Sequence, residues 1–210
     1  MTINYGALKN LLKDAITQSF NEVYKVYSDQ IYAYAVILDE EALGFAWAVN
    51  TESDYERFCL TQTDEKERCA YRWFWGNFPI GVDGKIFPDS APSIMKVNDK
   101  LKHLFEQKEN LLEEQEDESL HDEIEKNHLL SVCNVIMQAL QELEQIGTFG
   151  KGEDRNRFVV YLTCPIDEDE DDIDAEENDS EKIENESSKR ANPQEVFERY
   201  IHRYDIFNGE

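Results

Sequence analysis

Two short stretches carry almost all of the charge of this chain, and neither offers much to a core. Residues 167–186 hold thirteen Asp and Glu against one Lys, and residues 106–125 hold ten against one. These two windows account for −21 of the formal net charge of −25, so the other 170 residues are close to neutral. The expected object is therefore a nearly neutral folded body bearing two acidic blocks. With 210 residues, 40% of them apolar, there is material for one core and one domain spanning 1–210. The charge excludes a surface that coats nucleic acid, which needs clustered Lys and Arg. It equally excludes a peripheral protein held on anionic lipid.

The second block, Asp167 to Ser180, has almost nothing to bury, and its like charges repel and extend it. This composition predicts a solvated, disordered insertion at about 166–189, dispensable for folding. A calcium loop fails on inspection. Asp167, Asp169 and Asp171 suit positions 1, 3 and 5 of an EF-hand, but Asp172 stands where Gly is needed and Asn178 where Glu is needed.

Between the blocks the hydrophobic period changes twice. Leu8, Leu11, Leu12, Ala15, Phe20, Val23, Tyr24 and Tyr27 recur at helical spacing and predict a helix over 5–28. Residues 30–38 are β-rich and apolar on both alternating sets. Asp39-Glu40-Glu41 breaks that run, and residues 44–50 form a second one, which together read as a β-hairpin. Ala33, Ala35, Ala46 and Ala48 leave one alternating set small, and the first helix is the natural element to lie over it. Capping-type residues at 50–54 open a short helix to about Thr61, with Cys59 a packed thiol. Asp83-Gly84 reads as a tight turn. Two apolar stripes, Ile94 to Leu112 and Ile124 to Ile146, predict an αα-hairpin at 93–147 with the first acidic block at its tip and Ser119 opening its second helix. Residues 157–164 form a third strand. Asn192-Pro193 then reads as an N-cap and first helical residue of a last helix, 193–205. The fold class is α+β: a small, mainly antiparallel sheet flanked by helices, with an αα-hairpin and the acidic insertion.

Catalytic signatures are missing from the sequence. It contains no phosphate-binding glycine loop, no G-x-S-x-G and no H-E-x-x-H. Glu118-x-x-His121 and Glu125-x-x-His128 repeat a unit used in di-metal bundles, but both fall on one helix, about 10 Å apart at 1.5 Å per residue. The apolar stripe uses other positions, so both pairs are expected to face water. No catalytic residue, metal site or cofactor is expected. Four cysteines without a C-x-x-C pair, and a start at Met1–Lys9 unlike a signal peptide, predict a cytoplasmic protein with reduced thiols. No apolar run is long enough for a membrane helix.

Tyr71-Arg72-Trp73-Phe74-Trp75 is the one dense aromatic cluster. Such clusters are core in most folds, yet Trp, Tyr and Arg also dominate interface energetics. Trp73 and Trp75, with Asp167, Glu168, Asp169, Asp171 and Asp172, are the expected partner-binding residues.

The hairpin, Tyr32 to Asp39 followed by Gly44 to Glu52, resembles a bacterial family defined as domain of unknown function 4303. The aromatic stretch Tyr71–Phe78 and the strand Arg157–Cys164 followed by Asn192-Pro193 extend the resemblance over most of the chain. The acidic stretch 167–186 departs from it. The resemblance implies no catalytic residues. By analogy with small acidic cytosolic proteins, the expected function is a non-enzymatic interaction protein of immunity or antitoxin type that binds a basic protein. The alternative is a small hydrolase or metal-dependent enzyme whose site is assembled from scattered residues.

Overall fold

Strand β1 (Ile31–Leu38) is buried at all eight positions, because both of its alternating sets are covered. A computed structural model describes residues 3–81, 89–164, 179–203 and 205. The Asp83-Gly84 turn and Asp167, Glu168, Asp169, Asp171 and Asp172 lie outside the described residues.

β1 is the middle of a three-stranded sheet of order β2-β1-β3. It pairs antiparallel with β2 (Phe45–Thr51), so that Ala35 faces Ala48 and Ile37 faces Ala46. It pairs parallel with β3 (Val159–Thr163), so that Ala33 faces Val159 and Ile37 faces Thr163. The α+β class stands, but the sheet is mixed rather than mainly antiparallel. A long helical crossover separates β2 from β3, and such a connection can return a strand in the parallel sense as a short turn cannot.

One face of the sheet presents Tyr34, Val36, Leu38, Trp47, Val49, Val160 and Leu162 to three helices. These are α1 (Gly6–Tyr27), α4 (Ala91–Glu114) and α5 (His121–Ile146). Phe20 of α1 stands edge-on to Tyr34, and Ser19 Oγ shares a 2.6 Å hydrogen bond with Tyr34 Oη. The helix thus lies over the bulky face, not over the alanines as expected. The small face, Ala33, Ala35 and Ala48, is instead filled by Tyr161, Phe78 and Val196 and Tyr200 of α7 (Gln194–Ile201). Small residues leave the depth that large rings need, which is how close packing is kept on both sides of β1.

Two short helices follow β2. α2 (Glu52–Cys59) is capped by Thr51 Oγ1, which accepts from the Asp54 N–H. α3 (Glu65–Trp73) is capped by Asp64, which accepts from the N–H groups of Lys66 and Glu67. α3 was not foreseen, although Asp64 followed by Glu65 and Glu67 is a helix-start signature. After α3 the chain returns to the sheet, and Ile80 bridges to Val49. Gly81, at φ +122°, passes over the Trp47 carbonyl with no room for a Cβ.

The αα-hairpin is present. α4 lacks a cap of its own; the Glu22 carboxylate of α1 accepts from the N–H groups of Asp89 and Ser90 instead. Before α5 the capping residue is Asp117, which accepts from the Ser119 N–H, rather than Ser119 itself. α5 ends as expected at Gly147, which adopts φ +80°.

The largest departure concerns the second acidic block. Residues 179–191 form a helix, α6 (Asp179–Ala191), packed along the outer edge of β3. Ile183, Ser187, Ser188 and Ala191 are buried. These positions repeat at the three- and four-residue spacing of a helix face, so one side is buried while charged side chains of both signs occupy the rest. The expected solvated insertion therefore holds a structural helix over 179–189. An edge strand leaves alternate N–H and C=O groups unpaired, and side chains from this segment take them up. Ser187 Oγ accepts from the Leu162 N–H (2.9 Å) and donates to its carbonyl (3.2 Å). Asn192 Oδ1 accepts from the Val160 N–H (2.8 Å), and Asn192 Nδ2 donates to the Val160 carbonyl (2.7 Å). Asn192 is thus a clamp on β3, not the N-cap expected; the residue before α7 is Pro193, and no side chain caps it.

An aromatic face and an acidic end as the candidate functional site

The aromatic cluster divides between α3 and the turn that follows it. Trp73, at the end of α3, is half-buried, and its carbonyl accepts from Tyr161 Oη (2.9 Å). Its ring meets Tyr32 and Tyr200 edge-on. Trp75 is also half-buried and packs on the same cluster, while Phe74 beside it remains 49% exposed. Both readings of the run thus apply to different atoms: Trp73 and Trp75 help cover the alanine face, and Phe74 is the ring left outside.

Arg72 sits within this cluster. Its guanidinium lies 4.4 Å from the Tyr32 ring, 4.5 Å from the Tyr55 ring and 5.5 Å from the Trp73 ring. It donates to both carboxylate oxygens of Glu52, at 2.9 and 3.3 Å. The Tyr32 hydroxyl is buried and has no hydrogen-bond partner among the described residues. Burial raises its pKa far above the usual phenol value, against the opposing pull of Arg72. Sequence reasoning named none of Tyr32, Glu52, Tyr55 or Arg72 as a site residue. They come from three elements, and the only local signal was an arginine flanked by aromatics.

The acidic end is built from the hairpin tip and the start of α6. Glu113, Glu114, Glu116, Asp117 and Glu118 are all exposed. Lys126, near the start of α5, pairs with Asp179, the first residue of α6, at 3.2 Å. Farther along, Arg190 of α6 donates to Asn134 of α5 at 3.1 Å. The two helices therefore run in the same direction, and the start of α6 lies beside the start of α5. Hydrogen bonds to Lys182 and Lys126 hold the Asp179 carboxyl below its ordinary pKa.

Beneath the tip lie two buried basic groups. Lys108 pairs with Glu109 (2.7 Å) and Glu125 (3.8 Å) and rests over the Phe105 ring. His128 is 3% exposed, and Tyr5 Oη bonds its Nδ1 at 2.9 Å. This corrects the expectation that both Glu-x-x-His pairs face water: Tyr5, just before α1, covers the second histidine. Burial, helped by the nearby charge of Lys108, pushes the His128 pKa down to about 4.

The four thiols are free. Cys133 and Cys164 are both buried; a hydrogen bond with Cys164, together with burial, raises the Cys133 thiol above its ordinary range, and burial raises that of Cys69. That is the behaviour of packed thiols rather than nucleophiles. Among the described residues no group of three or more His, Cys, Asp or Glu could hold a metal ion. Nor is any helix there long and apolar enough to cross a membrane. An open cleft of about 380 Å³ between Arg157, Arg199, Glu153 and Glu195 carries charges of both signs.

None of the curated proteins or solved structures matches the chain. A family model does, over residues 12–193, which takes in most of α1, the whole sheet, the αα-hairpin, α6 and the Asn192 clamp. The chain belongs to the family described as domain of unknown function DUF4303.

Proposed function

We propose that this chain is a non-enzymatic interaction module whose acidic end receives a basic protein, in the manner of a cytoplasmic immunity or antitoxin protein. The observation that carries this reading is the Lys126–Asp179 contact, which joins the hairpin tip to the start of α6. In this reading the exposed carboxylates of the tip and those at the start of α6 act together as one negative field. Fields of a single sign speed the encounter with an oppositely charged partner and weaken as salt is added. The body behind the acidic end supports the same reading, since its buried charges are engaged internally. Arg155 bonds Glu144, Phe158, Ala191 and Asn192, and Arg203 bonds Glu184 and Asn185.

The test is capture of partners from the native host at low and at high salt, with the wild type and with Glu113, Glu114, Glu116 and Glu118 changed together to Gln. The expected result is a basic protein recovered at low salt by the wild type and lost with the variant. Recovery of no basic protein at low salt would overturn the reading and favour a small hydrolase or metal-dependent enzyme.

A further inference from the structure

The rings around Arg72 form a cage. Tyr32 and Tyr55 meet at 72°, and Tyr32 and Trp73 at 83°, so three aromatic surfaces surround one cation on different sides. Each ring presents a negative face to a centred positive charge, and Glu52 supplies the counter-ion. This is the recognition geometry for a guanidinium or alkylammonium group, and here the chain fills it with its own side chain.

We propose that the Tyr32–Tyr55–Trp73 cage with Glu52 is a binding site for an arginine side chain of the basic partner, which Arg72 occupies in the free protein. Two observations carry this. Arg72 is not sealed in: its side chain is 27% exposed and that of Glu52 is 45% exposed, so the occupant can leave through water. The buried Tyr32 hydroxyl has no hydrogen bond among the described residues, Arg72 included, so an arginine entering from another direction can supply a donor that the tethered one does not. The occupant rests on the reading of a basic partner, but the site can be tested without that partner.

Arg72→Ala and Arg72→Gln empty the cage by different amounts, the glutamine keeping more of the packing. Each variant and the wild type would be titrated with N-acetyl-arginine amide and with its neutral analogue N-acetyl-citrulline amide, following the Trp73 indole N–H by NMR. Both variants are expected to bind the arginine probe saturably and the citrulline probe at least tenfold more weakly. The wild type should bind the arginine probe at least tenfold more weakly than the variants, because Arg72 competes. Equal response to the two probes, no binding by either variant, or a wild type that binds the arginine probe as tightly as the variants would each overturn the proposal. Salt-sensitive capture at the acidic end would be untouched by such a failure, so the two readings fall separately.

Discussion

α6 and the tip of the αα-hairpin each draw on one of the two acidic windows of the sequence, and they behave as opposites in the fold. The tip residues Glu113, Glu114, Glu116, Asp117 and Glu118 all face water. α6 carries four Asp and Glu against three Lys and Arg, and it lies against β3, taking up that strand's free edge through Ser187 and, just past its end, Asn192. The difference comes from a few residues. Ile183, Ser187 and Ala191 are spaced four apart and make one continuous face. Net charge over a window measures what the exposed side of a helix carries; it says nothing of whether another side is buried.

The comparison can be broken most severely at Asn192, whose side chain makes five hydrogen bonds in a buried setting, to Arg155, to both backbone groups of Val160 and twice to Ser188. Asn192→Ala strands buried donors and acceptors and should lower the unfolding free energy by about 3–4 kcal/mol in urea titration. A loss below about 1 kcal/mol would mean that α6 is held by its apolar face alone.

A second effect distinguishes the base of the tip from its surface. The His128 pKa in the folded chain, about 4, lies below its ordinary 6.5. Between those values the unfolded chain takes up a proton that the folded chain refuses, so stability falls as pH drops from about 6.5 to about 4 and this contribution then levels off. His128→Gln, which can still bond Tyr5, should flatten that part of the profile by on the order of 3 kcal/mol. Overlapping wild-type and variant profiles in that window would show that the histidine is hydrated.

Ser187→Ala comes next, at about 1–2 kcal/mol, since it leaves the Leu162 N–H without its partner. Changing Glu113, Glu114, Glu116 and Glu118 together to Gln should have the smallest effect on stability, within about 0.5 kcal/mol by thermal melting, because exposed charges contribute little to the fold. A large shift in that variant would place the tip in the core economy of the molecule alongside α6.

Much of the architecture was legible because it rests on local periodicity. α1, the β1–β2 hairpin, the two long helices and β3 each announce themselves within twenty-odd residues. What was not legible depends on pairings between distant segments. The parallel pairing of β1 with β3 follows from the path of the crossover, and which helix covers the alanine face depends on where Tyr161 and Tyr200 arrive. His128 looked exposed because Tyr5, 123 residues away, is what buries it. The Arg72 cage draws on Tyr32, Glu52, Tyr55 and Trp73, which no spacing rule connects. α6 is the instructive miss, since its buried face was present at helical spacing and was outweighed by counting carboxylates.

Amide hydrogen exchange on the native protein separates the two acidic regions most directly. The N–H groups of residues 184–190 in α6, together with that of Leu162, should exchange at least a hundredfold more slowly than those of residues 115–118 at the tip, because only the former require displacement of α6 from β3. Exchange of the α6 amides at the same rate as the tip would contradict the account and return residues 179–189 to the solvated segment that the charge of the whole 167–186 window suggests.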